Sequence, residues 1–95
     1  MIGKKVIVRG DRSGVFFGVL AERKNKEIKL TNCRRLWYWS GAASLSQLSV
    51  DGVANPQACK FTVTVSEILI LDAIEIIPCT EKAIKSIEGT WEWKM

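Results

Sequence analysis

The feature that most constrains the fold is a series of short apolar runs, each too brief for a helix and each closed by turn-forming residues. Lys4 to Arg9 carries Val6, Ile7 and Val8, and Gly10-Asp11-Arg12-Ser13-Gly14 follows it. That segment is a turn by chemistry, with two glycines and with Asp and Ser able to bond neighbouring backbone. Val15 to Arg23 is a second run, with Val15, Phe17, Val19 and Ala21 on one face. Gly18 in its middle marks a bulge or a close neighbour. Lys24-Asn25-Lys26 turns the chain, and Glu27 to Cys33 alternates again, with Ile28 and Leu30 inward. Three such runs joined by short polar turns predict an antiparallel meander.

Beyond Cys33 the pattern changes. The small residues from Ser40 to Ser44 predict a helix that starts at Ser40 or Ser44. Ser44 with Gln47 three positions on fits a capping box; Leu45 and Leu48 face the core, and Asp51-Gly52 ends the helix. Asn55-Pro56 opens a loop. Phe61-Thr62-Val63-Thr64-Val65 has a clean period of two, apolar in and threonine out. Ile68 to Ile77 supplies a further strand or two, interrupted near Asp72. Thr80 caps a short second helix, with Glu81 near its positive end, Ala83, Ile84 and Ile87 as its apolar stripe and Gly89 at its C-terminal cap. Trp91-Glu92-Trp93 adds an edge strand, staples the tail or meets a second copy. The expected fold is α+β: a mainly antiparallel small sheet or partly open barrel, with one central helix and one short C-terminal helix, in a single domain spanning residues 1–95.

A chain of 95 residues hides only about 60–65% of the surface it exposes when unfolded, so its core is thin. Four tryptophans are many for so small a core, which directs some of them to a ligand, a partner subunit or the surface. The net charge of +4 favours anionic partners, but the cations are scattered, without the dense stripe of a nucleic-acid groove. There is no histidine, which removes the commonest general base and metal ligand. Cys33, Cys59 and Cys79 are too widely spaced for a disulfide framework or a structural zinc site. No Walker-type phosphate loop or dinucleotide fingerprint occurs, and the carboxylates show no paired spacing. No catalytic residue, metal or cofactor is therefore expected. The longest apolar stretch, Ile68 to Ile77, is broken by Asp72 and Glu75 and is too short to span a bilayer. The first residues run into a strand pattern without an apolar signal core, so the cytoplasm is the expected compartment.

The informative segment runs from Arg34 to Gln47. If Leu36 to Trp39 is extended, Trp37 and Trp39 share one face and offer a stacking surface for flat rings. Arg34 and Arg35 supply forked donors suited to phosphate. Ser40, Gly41 and Ser44 bring N–H or hydroxyl donors at a helix start, with Gln47 beside them, and Ser13-Gly14 in the first turn is placed to close over a ligand. Each member also has a plain structural explanation. The indoles suit a core or an interface, the arginines a solvated pair, the small residues close helix packing, and Ser13-Gly14 an ordinary hairpin. Only the combination points to a ligand.

From Thr31 through Trp37-Tyr38-Trp39 to Leu48, with Gly14-Val15-Phe16-Phe17-Gly18, Cys59-Lys60-Phe61, Glu75-Ile76-Ile77 and Trp93-Lys94, the sequence resembles a family of small bacteriophage and prophage proteins grouped as a domain of unknown function. Cys33 departs from the alanine expected there, which speaks against a reactive-cysteine role. The resemblance implies a phage product acting inside a bacterial cell. By analogy with unrelated phage proteins, the local chemistry suits a sponge for a cyclic nucleotide immune signal, with homo-oligomerisation expected. Two alternatives are a nucleic-acid-binding accessory protein and a structural or assembly protein.

Overall fold

The computed structural model describes residues 1–95. Strands β1 (Lys5–Gly10), β2 (Val15–Lys24) and β3 (Glu27–Tyr38) form the expected antiparallel meander. Helix α1 (Leu45–Asp51) and one 3-10 turn at Pro56–Ala58 follow. Strands β4 (Lys60–Phe61), β5 (Val65–Ile70) and β6 (Ala73–Pro78) then lead into helix α2 (Glu81–Gly89). The sheet order is β4-β3-β2-β1-β6, and β5 pairs with β3 off that path. Every strand pairing is antiparallel and no ladder joins β5 to β6, so the sheet does not close. This is the α+β architecture that the turn spacing predicts.

The period-two alternation sorts the apolar residues into two cores, one on each face of the sheet. Val6, Val8, Phe16, Leu20, Ile28, Leu30, Cys33 and Ile70 pack into one. Ile7, Phe17, Leu36, Leu48, Phe61 and Ile87 form the other, under the two helices. The expected single apolar face of Val15, Phe17, Val19 and Ala21 is therefore a correction. Phe16, Phe17, Gly18 and Leu20 are the buried residues of β2, and the three large side chains among them lie on both faces. Register shifts between Phe17 and Val19 and between Leu20 and Glu22 change the alternation along the strand.

Gly18 explains the first shift. A methyl group there would sit 2.5 Å from Cys33 Cβ and 3.0 Å from Cys33 Cα, so β2 and β3 approach more closely than any side chain allows. Opposite it, Asn32 takes a positive φ of 45°, which suits an Asn better than most residues. The bulge moves Cys33 and Arg35 to one face and Arg34 and Leu36 to the other.

The helices follow their caps. Ser44 Oγ accepts from the Gln47 amide, and Gln47 Oε1 accepts from the Ala43 amide, a close variant of the capping box. Thr80 Oγ1 accepts from the Ala83 amide and donates to Val50 O, tying the start of α2 to the end of α1. The second C-terminal cap is Thr90, one residue beyond the expected Gly89.

Phe61 to Val65 departs most from its alternation. Phe61 is buried, but Val63 and Val65 are exposed, and residues 62–64 leave the ladder between β4 and β5. Pairing resumes with a one-residue shift, from Leu36 opposite Phe61 to Cys33 opposite Val65. The tail is tied to this irregularity by one parallel bridge, Phe61 to Glu92, where an edge strand was expected.

Gly18→Ala should destabilise the fold by about 1–3 kcal/mol through overpacking against Cys33. Urea denaturation of the variant checks this; a change within about 0.5 kcal/mol would mean that the two strands can part freely.

Candidate functional site

The two adjacent arginines of β3 have opposite fates because they lie on opposite faces. Arg34 is only 4% exposed, and its guanidinium meets five backbone carbonyls. Nε donates to Thr62 O at 2.9 Å; Nη1 donates to Ile87 O at 3.0 Å and Thr90 O at 2.9 Å; Nη2 donates to Phe61 O and Trp91 O, both at 3.1 Å. A guanidinium has five N–H donors, so this one is saturated. The group also lies 5.5 Å over the Phe61 ring. Burial draws its pKa down, partly offset by Glu92, yet an arginine remains a cation. Arg34 is thus a correction to the expected phosphate ligand: it has no donor left for one.

Arg35 points the other way. Its guanidinium lies 4.7 Å over the Phe16 ring, it is exposed, and none of its side-chain donors is used within the protein. It takes part in no salt bridge. Stacking on Phe16 orders the side chain and leaves its N–H edges for a ligand.

Around Arg35 the fold gathers part of the predicted set. A cleft of about 310 Å³ is lined by Arg12, Ser13, Gly14, Val15, Arg35, Leu36, Trp37 and Trp39. Ser13, Gly14, Arg35, Trp37 and Trp39, drawn from two separate segments, therefore share one cavity. Trp37 is 62% exposed, whereas Trp39 is half-buried against the helix-side core. A second hollow of about 480 Å³ shares Arg12, Ser13 and Arg35 and continues over Phe16 and Ile68 to Asp72. A third, of about 470 Å³ between the β2–β3 turn and β6, has no aromatic wall among its lining residues.

The remaining predicted residues do structural work outside the cleft. Ser40 bonds Cys59 through its amide and Asn55 through its hydroxyl. Gly41 takes φ +92°, and a methyl group there would lie 2.4 Å from the Ala54 amide nitrogen, so close loop packing requires the glycine. Ser44 caps α1 by accepting the Gln47 amide at its hydroxyl, and the Gln47 side chain accepts the Ala43 amide.

Asp72 is the residue that sequence reading saw only as an interruption. From the β5–β6 turn it reaches the first loop, accepting from the Arg12 amide at 2.8 Å, the Ser13 amide at 3.1 Å and Ser13 Oγ at 2.5 Å. Those bonds, the Ser13 hydroxyl foremost, hold its carboxyl below the usual range. An Asp between two strand-like runs could have signalled such a clamp, but its partner is 59 positions away. Burial pushes the Cys33 thiol up, contrary to activation by its arginine neighbour, and raises Cys79 to about 11.

Fold and site together define a small α+β domain with a curled antiparallel sheet and an arginine–tryptophan cleft at one end of its long third strand. The chain belongs to the family described as Domain of unknown function (DUF6948), whose model matches residues 3–87. Neither a curated protein nor a solved structure gives a significant match. No helix is long and apolar enough to cross a membrane.

Two predictions follow from this geometry. Arg34→Lys should cost about 2–4 kcal/mol, since three donors cannot serve five carbonyls, while Arg35→Ala should stay within about 1 kcal/mol; paired urea curves separate the two. The Asp72 contribution is present above the ordinary carboxylate range and is lost as pH falls through its depressed folded-state pKa. The Arg12 and Ser13 amide shifts should therefore titrate together in NMR with a midpoint below about 3.9, the unperturbed value. A midpoint at or above that value would contradict the clamp.

Proposed function

We propose that this protein is a non-enzymatic binding protein for a nucleotide-type ligand, held in the cleft of Ser13, Gly14, Arg35, Trp37 and Trp39. The observation that carries the reading is the pairing of an unpartnered, ring-mounted guanidinium with an exposed indole in one hollow. Arg35 supplies donors for phosphate, and Trp37 supplies a flat face for a base. Arg12 adds a second cation at the mouth, and the cleft lies in the size range of small-ligand pockets, about 300–1,000 Å³. No carboxylate lines it, and Ser13 spends its hydroxyl on Asp72, so the chemistry supports holding a ligand rather than transforming one.

The biological reading rests on the resemblance of the Arg34 to Leu48 segment to phage and prophage proteins. It is a sponge that sequesters a cyclic nucleotide immune signal in the cytoplasm of the bacterial host, an anti-defence role. Leu69 and Leu71 are exposed beside the hollow that adjoins the cleft, which supports a homo-oligomer with its interface near the ligand. The scarcity of free cations around the cleft favours a small ligand over a long strand.

The test is a thermal-shift panel of cyclic mono-, di- and trinucleotides, followed by denaturation and recovery of the bound ligand. A true ligand at a hundred times its Kd adds about 2.7 kcal/mol of stability, and it should come back chemically unchanged. Arg35→Ala and Trp37→Ala should each abolish most of that shift. No shift with any member of the panel would remove this reading.

A further inference from the structure

The cleft ends at Trp37, but the aromatic surface does not. The Trp93 ring lies 6.2 Å from that of Trp37, centroid to centroid, with only 16° between their planes. Trp93 is itself 38% exposed and borders another hollow of about 270 Å³ with Thr62, Lys94 and Met95. The Lys60 ammonium sits 5.4 Å over the Trp93 ring and has no carboxylate partner. Two near-parallel indoles thus stack on each other at the surface, one bordering each hollow, with an unpaired cation at either end: Arg35 in the cleft with Trp37 and Lys60 over Trp93.

The tail around Trp93 is held in place by several bonds, although it lies past the family match. The Trp93 amide donates to Phe61 O at 2.8 Å, Trp91 Nε1 donates to Pro56 O, and Glu92 Oε2 accepts from the Thr64 amide. Arg34 secures the carbonyl of Trp91 two residues before Trp93. The tail that carries the Trp93 ring is anchored, while the ring itself stays exposed and adds little to the core. Such a ring is preorganised for a contact made by something else.

We propose, building on the nucleotide reading of the cleft, that the ligand carries two bases joined through phosphate. One base lies in the cleft against Trp37. The other lies against Trp93, with Arg35 and Lys60 meeting the phosphates. The class is a dinucleotide, whether cyclic or linear.

The experiment is a titration, followed by tryptophan fluorescence and calorimetry, with AMP, cyclic di-AMP, linear pApA and a twenty-nucleotide oligoadenylate. At least one of the two-base ligands should bind about fivefold or more tightly than AMP, the lower end of what a second stacked base adds. Trp93→Ala should bring that ligand down to the affinity of AMP. Lys60→Gln, a surface change that removes the ammonium from over Trp93, should weaken the two-base ligand severalfold while the fold stays intact. The cyclic and linear arms identify which source is preferred. If AMP binds but two bases gain nothing, or if Lys60→Gln changes nothing, the two-base proposal fails and the cleft reading stands. Binding of the long strand far above either dinucleotide, with steep salt dependence, would overturn it in favour of nucleic acid. If no nucleotide binds at all, both readings fall together.

Discussion

Five carbonyl oxygens converge on the guanidinium of Arg34, and the arrangement of the whole C-terminal half depends on that convergence. Phe61 ends β4, Thr62 opens the gap before β5, Ile87 and Thr90 belong to the end of α2, and Trp91 to the tail. Phe61 O and Ile87 O also accept backbone amides, from Trp93 and Thr90, whereas the carbonyls of Thr62, Thr90 and Trp91 have only Arg34 as partner. A buried carbonyl left without a partner costs about 1–3 kcal/mol, and one cation serves all three. The helix end contributes more than hydrogen bonds, because its carbonyls carry the negative pole of the helix. A positive charge at that point needs no carboxylate to balance it, and none of its five partners is one.

The same residue sets the geometry of the cleft from behind. By bonding the carbonyls of Phe61 and Thr62 where the ladder breaks and those of Thr90 and Trp91 in the tail, Arg34 anchors the Trp37–Trp93 pair at the surface. The bulge opposite Gly18 turns Arg34 inward, and the next side chain, Arg35, then faces out over Phe16. From the other side, Asp72 pins the loop that brings Arg12, Ser13 and Gly14 to the rim. A cleft assembled from two distant segments is thus held by two polar knots, one buried and one at the surface.

Local chemistry made much of this legible in the sequence. The turn at Gly10 to Gly14, the strands of the meander, the Ser44 and Thr80 caps and the break near Asp72 all express short-range rules, and the fold obeys them. Gly18 was read correctly as a close approach because a glycine amid large apolar residues has few other uses. Ser13 and Gly14 line the same hollow as Trp37 and Trp39 because the meander brings their strands together. What failed was long-range. An Arg-Arg pair reads the same whether its members point in or out, and the direction depends on a one-residue bulge. The alternation of Phe61 to Val65 was sound as a pattern but lost to the pull of a buried cation 27 residues away in sequence. Ser40, Gly41, Ser44 and Gln47, named as donors, lie outside the cleft because capping and loop packing hold them elsewhere.

The most direct test looks at both guanidinium groups at once, in an NMR spectrum of the arginine side-chain N–H signals with and without cyclic di-AMP. A saturated, buried Arg34 should show separate, slowly exchanging Nη protons that stay put when the nucleotide is added. Arg35 should show averaged, fast-exchanging signals that sharpen and shift on binding. Averaged signals from Arg34, or a response from Arg34 in place of Arg35, would contradict the division of labour between the two residues.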